Sequence, residues 1–133
     1  LNIPEPTILA VTVLTSISPE VLSGELNVAG SLEDHVIRLA KQCQESGVKG
    51  LVASPEELLR LRKELNNDML IVTPGVRPSW AAADDQSRFT SPAQAIKNGS
   101  DYLVVGRPIT KAANPKDAAS KIVEEIEEAL ASK

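Results

Sequence analysis

Apolar residues fall in short runs, each followed by a polar turn and then by apolar positions three and four apart. Thr7 to Leu14, TILAVTVL, is almost continuously apolar, the pattern of a strand covered on both faces. GLVAS (50 to 54), DMLIVTPG (from Asp68) and DYLVV (Asp101 to Val105) repeat it. After each run the period changes to that of a helix, and the start is marked. Ser31 opens SLEDHVIRLAKQCQESG, with Asp34 completing a capping box and Gly47 closing the helix. Ser54-Pro55-Glu56-Glu57 caps, starts and boxes a second helix running to about Leu65. Ser91-Pro92 starts a shorter third, ended by Gly99. Asn114-Pro115 starts the last, with Ala118, Ile122, Ile126 and Ala129 on one face.

Four strand-helix units in series predict parallel strands with helices packed outside. A small doubly wound sheet and part of a (β/α)₈ TIM barrel both satisfy this. No Gly-x-Gly-x-x-Gly follows the first strand, which disfavours the dinucleotide-binding version. A full barrel needs eight units and about 250 residues. Four units in 133 residues amount to half a barrel. No linker or low-complexity stretch divides the chain, so residues 1–133 read as a single domain.

Composition narrows the partners. Hydrophobic residues make up 42% and charged residues 24%, an ordinary globular balance. A net charge of −4 and a pI near 5.0 argue against a nucleic-acid surface. A small anionic ligand stays open, because local arginine placement decides that. Cys43 is the single cysteine, so there is no disulfide framework and a reducing cytoplasm is the expected home. No run of about 18 apolar residues predicts a membrane span, and no signal pattern marks the N-terminus.

The chemistry gathers where strands end. Thr73 to Ser91 is a long loop at the carboxyl end of the third strand, where α/β proteins bind ligands. Gly75-Val76-Arg77-Pro78 follows that strand, and Gly106-Arg107-Pro108 follows the fourth. In each, glycine permits close backbone approach, arginine offers a planar fork of donors to phosphate or carboxylate, and proline stiffens the turn. Two readings remain: a shared phosphate site, or surface arginines bonded to loop carbonyls or to Asp84 and Asp85. Thr15 and Ser16 end the first strand on the same rim, either closing a turn or meeting a polar ligand edge. Gln86 is an exposed loop amide or a bridge between two ligand groups. His35 has no partner set for catalysis, Cys43 reads as a packing residue, and Trp80 packs the loop or caps a ligand. No metal-ligand spacing appears, and no Lys–Asp pair is spaced for acid–base work.

Taken together, AVTVLTS, GLVAS, TPGVRP with DDQSR, the Ser-Pro helix start, and DYLVVGRPIT with ANP resemble the bacterial orotidine 5'-phosphate decarboxylase family. The likeness spans essentially the whole chain, in order. It implies a (β/α)₈ barrel of which this chain supplies strands five to eight. It also implies that the Gly106 N–H and Arg107 bind the nucleotide phosphate with help from Arg77. Gln86 would close over phosphate and pyrimidine, Thr15 would bond the pyrimidine, and Pro74 would line the pocket. The implied reaction converts orotidine monophosphate to uridine monophosphate and CO2, without metal or organic cofactor. The family's Asp-x-Lys-x-x-Asp signature belongs to the first half of the barrel and is absent here. No catalytic residue is therefore expected in this chain, which should be inactive alone. Unpaired strand edges predict association with the missing N-terminal half or with a second copy. A non-catalytic phosphate-binding half barrel and a related sugar-phosphate decarboxylase or epimerase remain the alternatives.

Overall fold

Residues 6–81 and 90–132 are described by the computed structural model. Four strands, β1 (Leu9–Val11), β2 (Gly50–Val52), β3 (Leu70–Thr73) and β4 (Tyr102–Leu103), form one parallel sheet in chain order. Between them run α1 (Leu32–Glu45), α2 (Leu58–Glu64) and α3 (Pro92–Lys97). A four-residue helix α4 (Arg107–Thr110) and the long α5 (Pro115–Ala131) follow β4. This is the repeating β/α order of half a barrel. The strands are shorter than their apolar runs, although single ladder bonds continue past them, such as Val104 N–H to the Thr73 carbonyl at 2.9 Å. A π-helical turn, Val21–Glu25, precedes α1 and was not foreseen.

The caps explain where the helices begin. The Ser31 hydroxyl accepts from the Asp34 N–H at 3.1 Å and donates to the Asp34 carboxylate at 2.7 Å. Arg60 of α2 also reaches Asp34, at 2.6 Å, and these contacts, the Ser31 bond foremost, hold that carboxyl below its usual range. A one-turn 3₁₀ segment, Pro55–Glu57, leads into α2, and the buried Glu57 carboxylate accepts from the Ser54 N–H at 2.8 Å. Ser91 and Asn114 accept from the N–H groups of Gln94 and Asp117.

The sheet has one covered face. Ala10, Leu51 and Ile71 lie side by side in register and point toward the helices, where Leu51 and Ile71 are fully buried. Val36, Ile37 and Ala40 of α1 and Leu58 and Leu61 of α2 close over them, and Cys43 packs at the margin of this core. The neighbouring row, Val11–Val52–Val72–Tyr102, is also in register but faces the opposite way. Its outer members are open to solvent, Val11 at 54% and Tyr102 at 59%. That row would form the interior of a closed barrel.

At the amino ends of the strands, Arg62 of α2 ties three segments together. Its guanidinium donates to the Gly99 carbonyl at 2.7 Å, the Met69 carbonyl at 2.6 Å and the Asp101 carboxylate at 2.5 Å. Asp101 in turn accepts from the Ile71 N–H at 2.7 Å. Gly99 sits at φ +104°, and a Cβ there would lie 2.7 Å from the Arg62 Cγ, so only glycine fits. Arg62→Ala strands two backbone acceptors and a carboxylate. It should lower the unfolding free energy by about 2–3 kcal/mol in urea titrations. Arg62→Lys should recover less than half of that, because an ammonium cannot reproduce the fork. A lysine variant as stable as the parent would show that charge alone is used there.

Candidate functional site

The site grows out of the pairing of β3 with β4. Val72 aligns with Tyr102 and Thr73 with Leu103, so the two strands end together and their exit loops start as neighbours. The buried Thr73 hydroxyl and the Ser100 hydroxyl are 2.7 Å apart and add a side-chain link between them.

Beyond β3 the chain passes Pro74 and turns at Gly75, which has φ +74°. Thr90, at the far end of the long loop, pins that turn. It forms a parallel bridge with Val76, and its carbonyl accepts from the Arg77 N–H at 2.8 Å. Arg77 is thus held at the loop stem, only 4% exposed. Beyond β4, the proline expected to stiffen a turn instead occupies the first turn of α4. The Gly106 carbonyl accepts from the Ile109 and Thr110 N–H groups at 2.9 and 3.0 Å. Arg107 therefore opens a helix rather than sitting in a loop.

Arg77 and Arg107 line one cavity of about 250 Å³, together with Trp80, Ala81, Pro108, Lys111 and Ala112. Three cations thus face one space, walled otherwise by apolar and aromatic groups. The Lys121 ammonium of α5 lies 5.8 Å from the centre of the Trp80 ring, so the indole packs on α5 while lining the cavity. A Cβ added at Gly106 would meet nothing within 4 Å. Packing within the chain leaves room for a side chain there, and the glycine keeps its backbone open on that side. Such an arrangement can bind a small anion by charge-assisted hydrogen bonds.

The other sequence-derived candidates lie elsewhere. Thr15 occupies the turn closed by the Ile17 N–H on the Leu14 carbonyl at 2.9 Å. It stands at the end of β1, three strand spacings or about 14 Å along the sheet from β4. Pro74 is half-buried at the exit of β3, outside the cavity wall. Gln86, with Asp84, Asp85 and Arg88, falls outside the described residues. His35 is half-buried on α1 beside Arg38, 2.5 Å away, far along the chain from the cavity. Among the described residues no group of His, Cys, Asp and Glu is placed to hold a metal ion, and no helix is long and apolar enough to cross a membrane.

Two residues emerge that sequence reading did not single out for a site. Lys111 lines the cavity, four residues after Arg107, a signal readable only once α4 is recognised as a helix. Ser54 was read as a cap, yet its Oγ is buried at the carboxyl end of β2 with no hydrogen-bond partner among the described residues. A polar atom in that condition costs stability until a ligand or neighbouring chain meets it.

These features define a barrel protein of the (β/α)₈ kind, represented here by four units, with a cationic pocket at the carboxyl ends of its last two strands. The chain belongs to the orotidine 5'-phosphate decarboxylase / HUMPS family, whose sequence model matches residues 2–122. It is 52% identical over 126 residues to an orotidine 5'-phosphate decarboxylase of Heliobacterium modesticaldum, covering 95% of this chain and 52% of that one. The crystal structure of the Lactobacillus acidophilus orotidine 5'-phosphate decarboxylase superposes with a TM-score of 0.77 at 41% identity, over 91% of this chain and 49% of that one. The Pyrococcus horikoshii enzyme gives 0.65 at 26% identity, over 90% and 50%. The chain therefore spans about half the length of the relatives it matches.

If the Ser54 hydroxyl caps nothing, Ser54→Ala should leave the urea midpoint unchanged, within about 0.5 kcal/mol. A loss of about 1 kcal/mol or more, as for an ordinary N-cap deletion, would return this residue to a purely structural role.

Proposed function

We propose that this chain is the phosphate-binding half of an orotidine 5'-phosphate decarboxylase, an enzyme that converts orotidine monophosphate to uridine monophosphate and CO2 in pyrimidine synthesis. The observation that carries this is the meeting of Arg77 and Arg107, delivered by adjacent strand ends, on one cavity. In this reading the Arg107 guanidinium and the Gly106 N–H hold the phosphate, and the buried Arg77 supports them. Thr15 and Pro74 serve the pyrimidine side, and Gln86 joins base and phosphate. A ligand engaging both Arg107 and Thr15 needs a second polar end well removed from its phosphate, which a nucleotide has. The groups that exchange the carboxylate for a proton lie, by the family pattern, on the first four strands of the barrel. This half would contribute binding energy at the phosphate that closes the loop and organises the reacting end. With Cys43 unpaired, the chain suits a reducing cytoplasm.

Uridine monophosphate titrated into the chain by calorimetry tests the anchor. Each charge-assisted bond contributes ~1.5–3 kcal/mol, so Arg107→Ala should weaken binding by roughly 10- to 100-fold. Equal affinity would remove Arg107 from the phosphate site. Orotidine monophosphate decarboxylation should appear only when a complementary N-terminal half is supplied. Turnover by the mass-verified 133-residue chain alone would overturn that division of labour.

A second reading is a half barrel closed by its own copy. It is favoured by the uncovered Val11–Val52–Val72–Tyr102 row and by β1 and β4 standing at the two sheet edges. Two copies related by a two-fold axis along the barrel would supply eight parallel strands. Light scattering on the purified chain should then give twice its 14.2 kDa mass, with loss of the dimer in Val11→Lys. A monomer would rule this reading out.

A further inference from the structure

We infer that Asn98 is a site of spontaneous covalent modification, converted to aspartate and isoaspartate through a cyclic imide, and that the closed turn at the end of α3 holds the reaction back. The modified fraction then records how long that turn has stood open.

The chemistry needs an asparagine followed by a residue whose amide nitrogen can reach the asparagine side-chain carbonyl. Asn98 is the asparagine followed by glycine in this chain, and glycine has no side chain to shield that nitrogen. Asn27 precedes the β-branched Val28, and Asn114 precedes Pro115, which has no N–H. In the reaction the Gly99 nitrogen gives up its proton and bonds to the Asn98 Cγ, and the side-chain nitrogen leaves as ammonia. Water then opens the imide. Cleavage at Cγ leaves aspartate on the original backbone. Cleavage at the main-chain carbonyl carbon routes the backbone through the side chain, as isoaspartate.

The fold ties up both reacting groups. The Gly99 N–H donates to the Ile96 carbonyl and the Ser100 N–H to the Ala95 carbonyl, both at 3.0 Å, the paired bonds of a Schellman turn. The nucleophile is thus one of the donors that close the turn. The Asn98 Oδ1 accepts from the Gln94 Nε2 at 2.7 Å, which holds the side chain back along α3. The Arg62 Nε donates to the Gly99 carbonyl at 2.7 Å and fixes the glycine from its other side. No other residue can replace this glycine, because it sits at φ +104° with its would-be Cβ against Arg62. The turn therefore demands the reactive step that it must also protect.

Conversion runs one way. Isoaspartate adds a backbone carbon between α3 and Gly99, so the two turn bonds and the Arg62 contact lose their spacing. Either product sets a new carboxylate at the carboxyl end of a helix, where negative charge is unfavourable. An opened turn that reacts recloses poorly.

The test holds the intact chain in mildly alkaline buffer, folded or unfolded in guanidinium, and follows isoaspartate at residue 98 by peptide mapping and mass spectrometry. Opening breaks both turn bonds and the Arg62 contact, so the folded chain should convert at least about tenfold more slowly than the unfolded one. Gln94→Ala and Arg62→Ala should each speed conversion about 3-fold or more in the folded chain and change nothing in the unfolded chain. Gln94→Ala leaves the Arg62 contacts intact and decides the matter if Arg62→Ala does not fold. Equal rates in the folded and unfolded parent would show that the turn gives no protection. No isoaspartate at residue 98 in the unfolded chain would show that the step is unreactive. Folded variants no faster than the parent would place the protection elsewhere. Each of these three results overturns the inference.

Discussion

Much of the architecture depends on the guanidinium of Arg62. It bonds at once to the segment before β3, the cap after α3 and the acid that opens β4, so the two strands cannot slide past each other. A slip of one residue would shift an exit loop by about 3.3 Å and turn every side chain to the other face. The binding rim is built from what leaves those two strands at their opposite ends. One ion-paired arginine at the amino side thus sets the height at which Arg77 and Arg107 emerge at the carboxyl side. This separation of tasks, stability below and ligand contact above, is the general arrangement of barrels.

Local chemistry was the legible part of the chain. Ser31, Ser91 and Asn114 cap the helices they were expected to cap, and Gly47 and Gly99 lie just past helix ends with positive φ. Four parallel strands with intervening helices followed from periodicity alone. What could not be read depended on two segments at once. Pro108 looked like a stop after β4, but proline is equally a start, and only the packed structure shows a helix beginning there. Without α4, Lys111 had no reason to stand near Arg107. Ser54 and Glu57 matched a capping box by spacing, and the structure has that box, with the Glu57 carboxylate accepting from the Ser54 N–H at 2.8 Å.

The apolar runs held one more message. Parallel strands are hydrophobic throughout when both faces are covered, and TILAVTVL has that character. Among the described residues one face is covered, by α1, α2 and their neighbours. The alternate residues are nevertheless valines, a leucine and a tyrosine rather than the polar groups a solvated face would carry. The sequence is thus written for a second layer across the sheet. The sequence match agrees, since relatives align over half their length with this segment.

Trp80 is the sole tryptophan, and it stands on the wall of the cationic cavity with Lys121 above its ring. Indole emission responds to the charges around it, so the tryptophan fluorescence of the molecule, excited selectively beyond the tyrosine absorption, originates on the wall of the cavity where an anion would sit. The protein carries its own optical probe at that spot, with no background from a second indole and no label to attach.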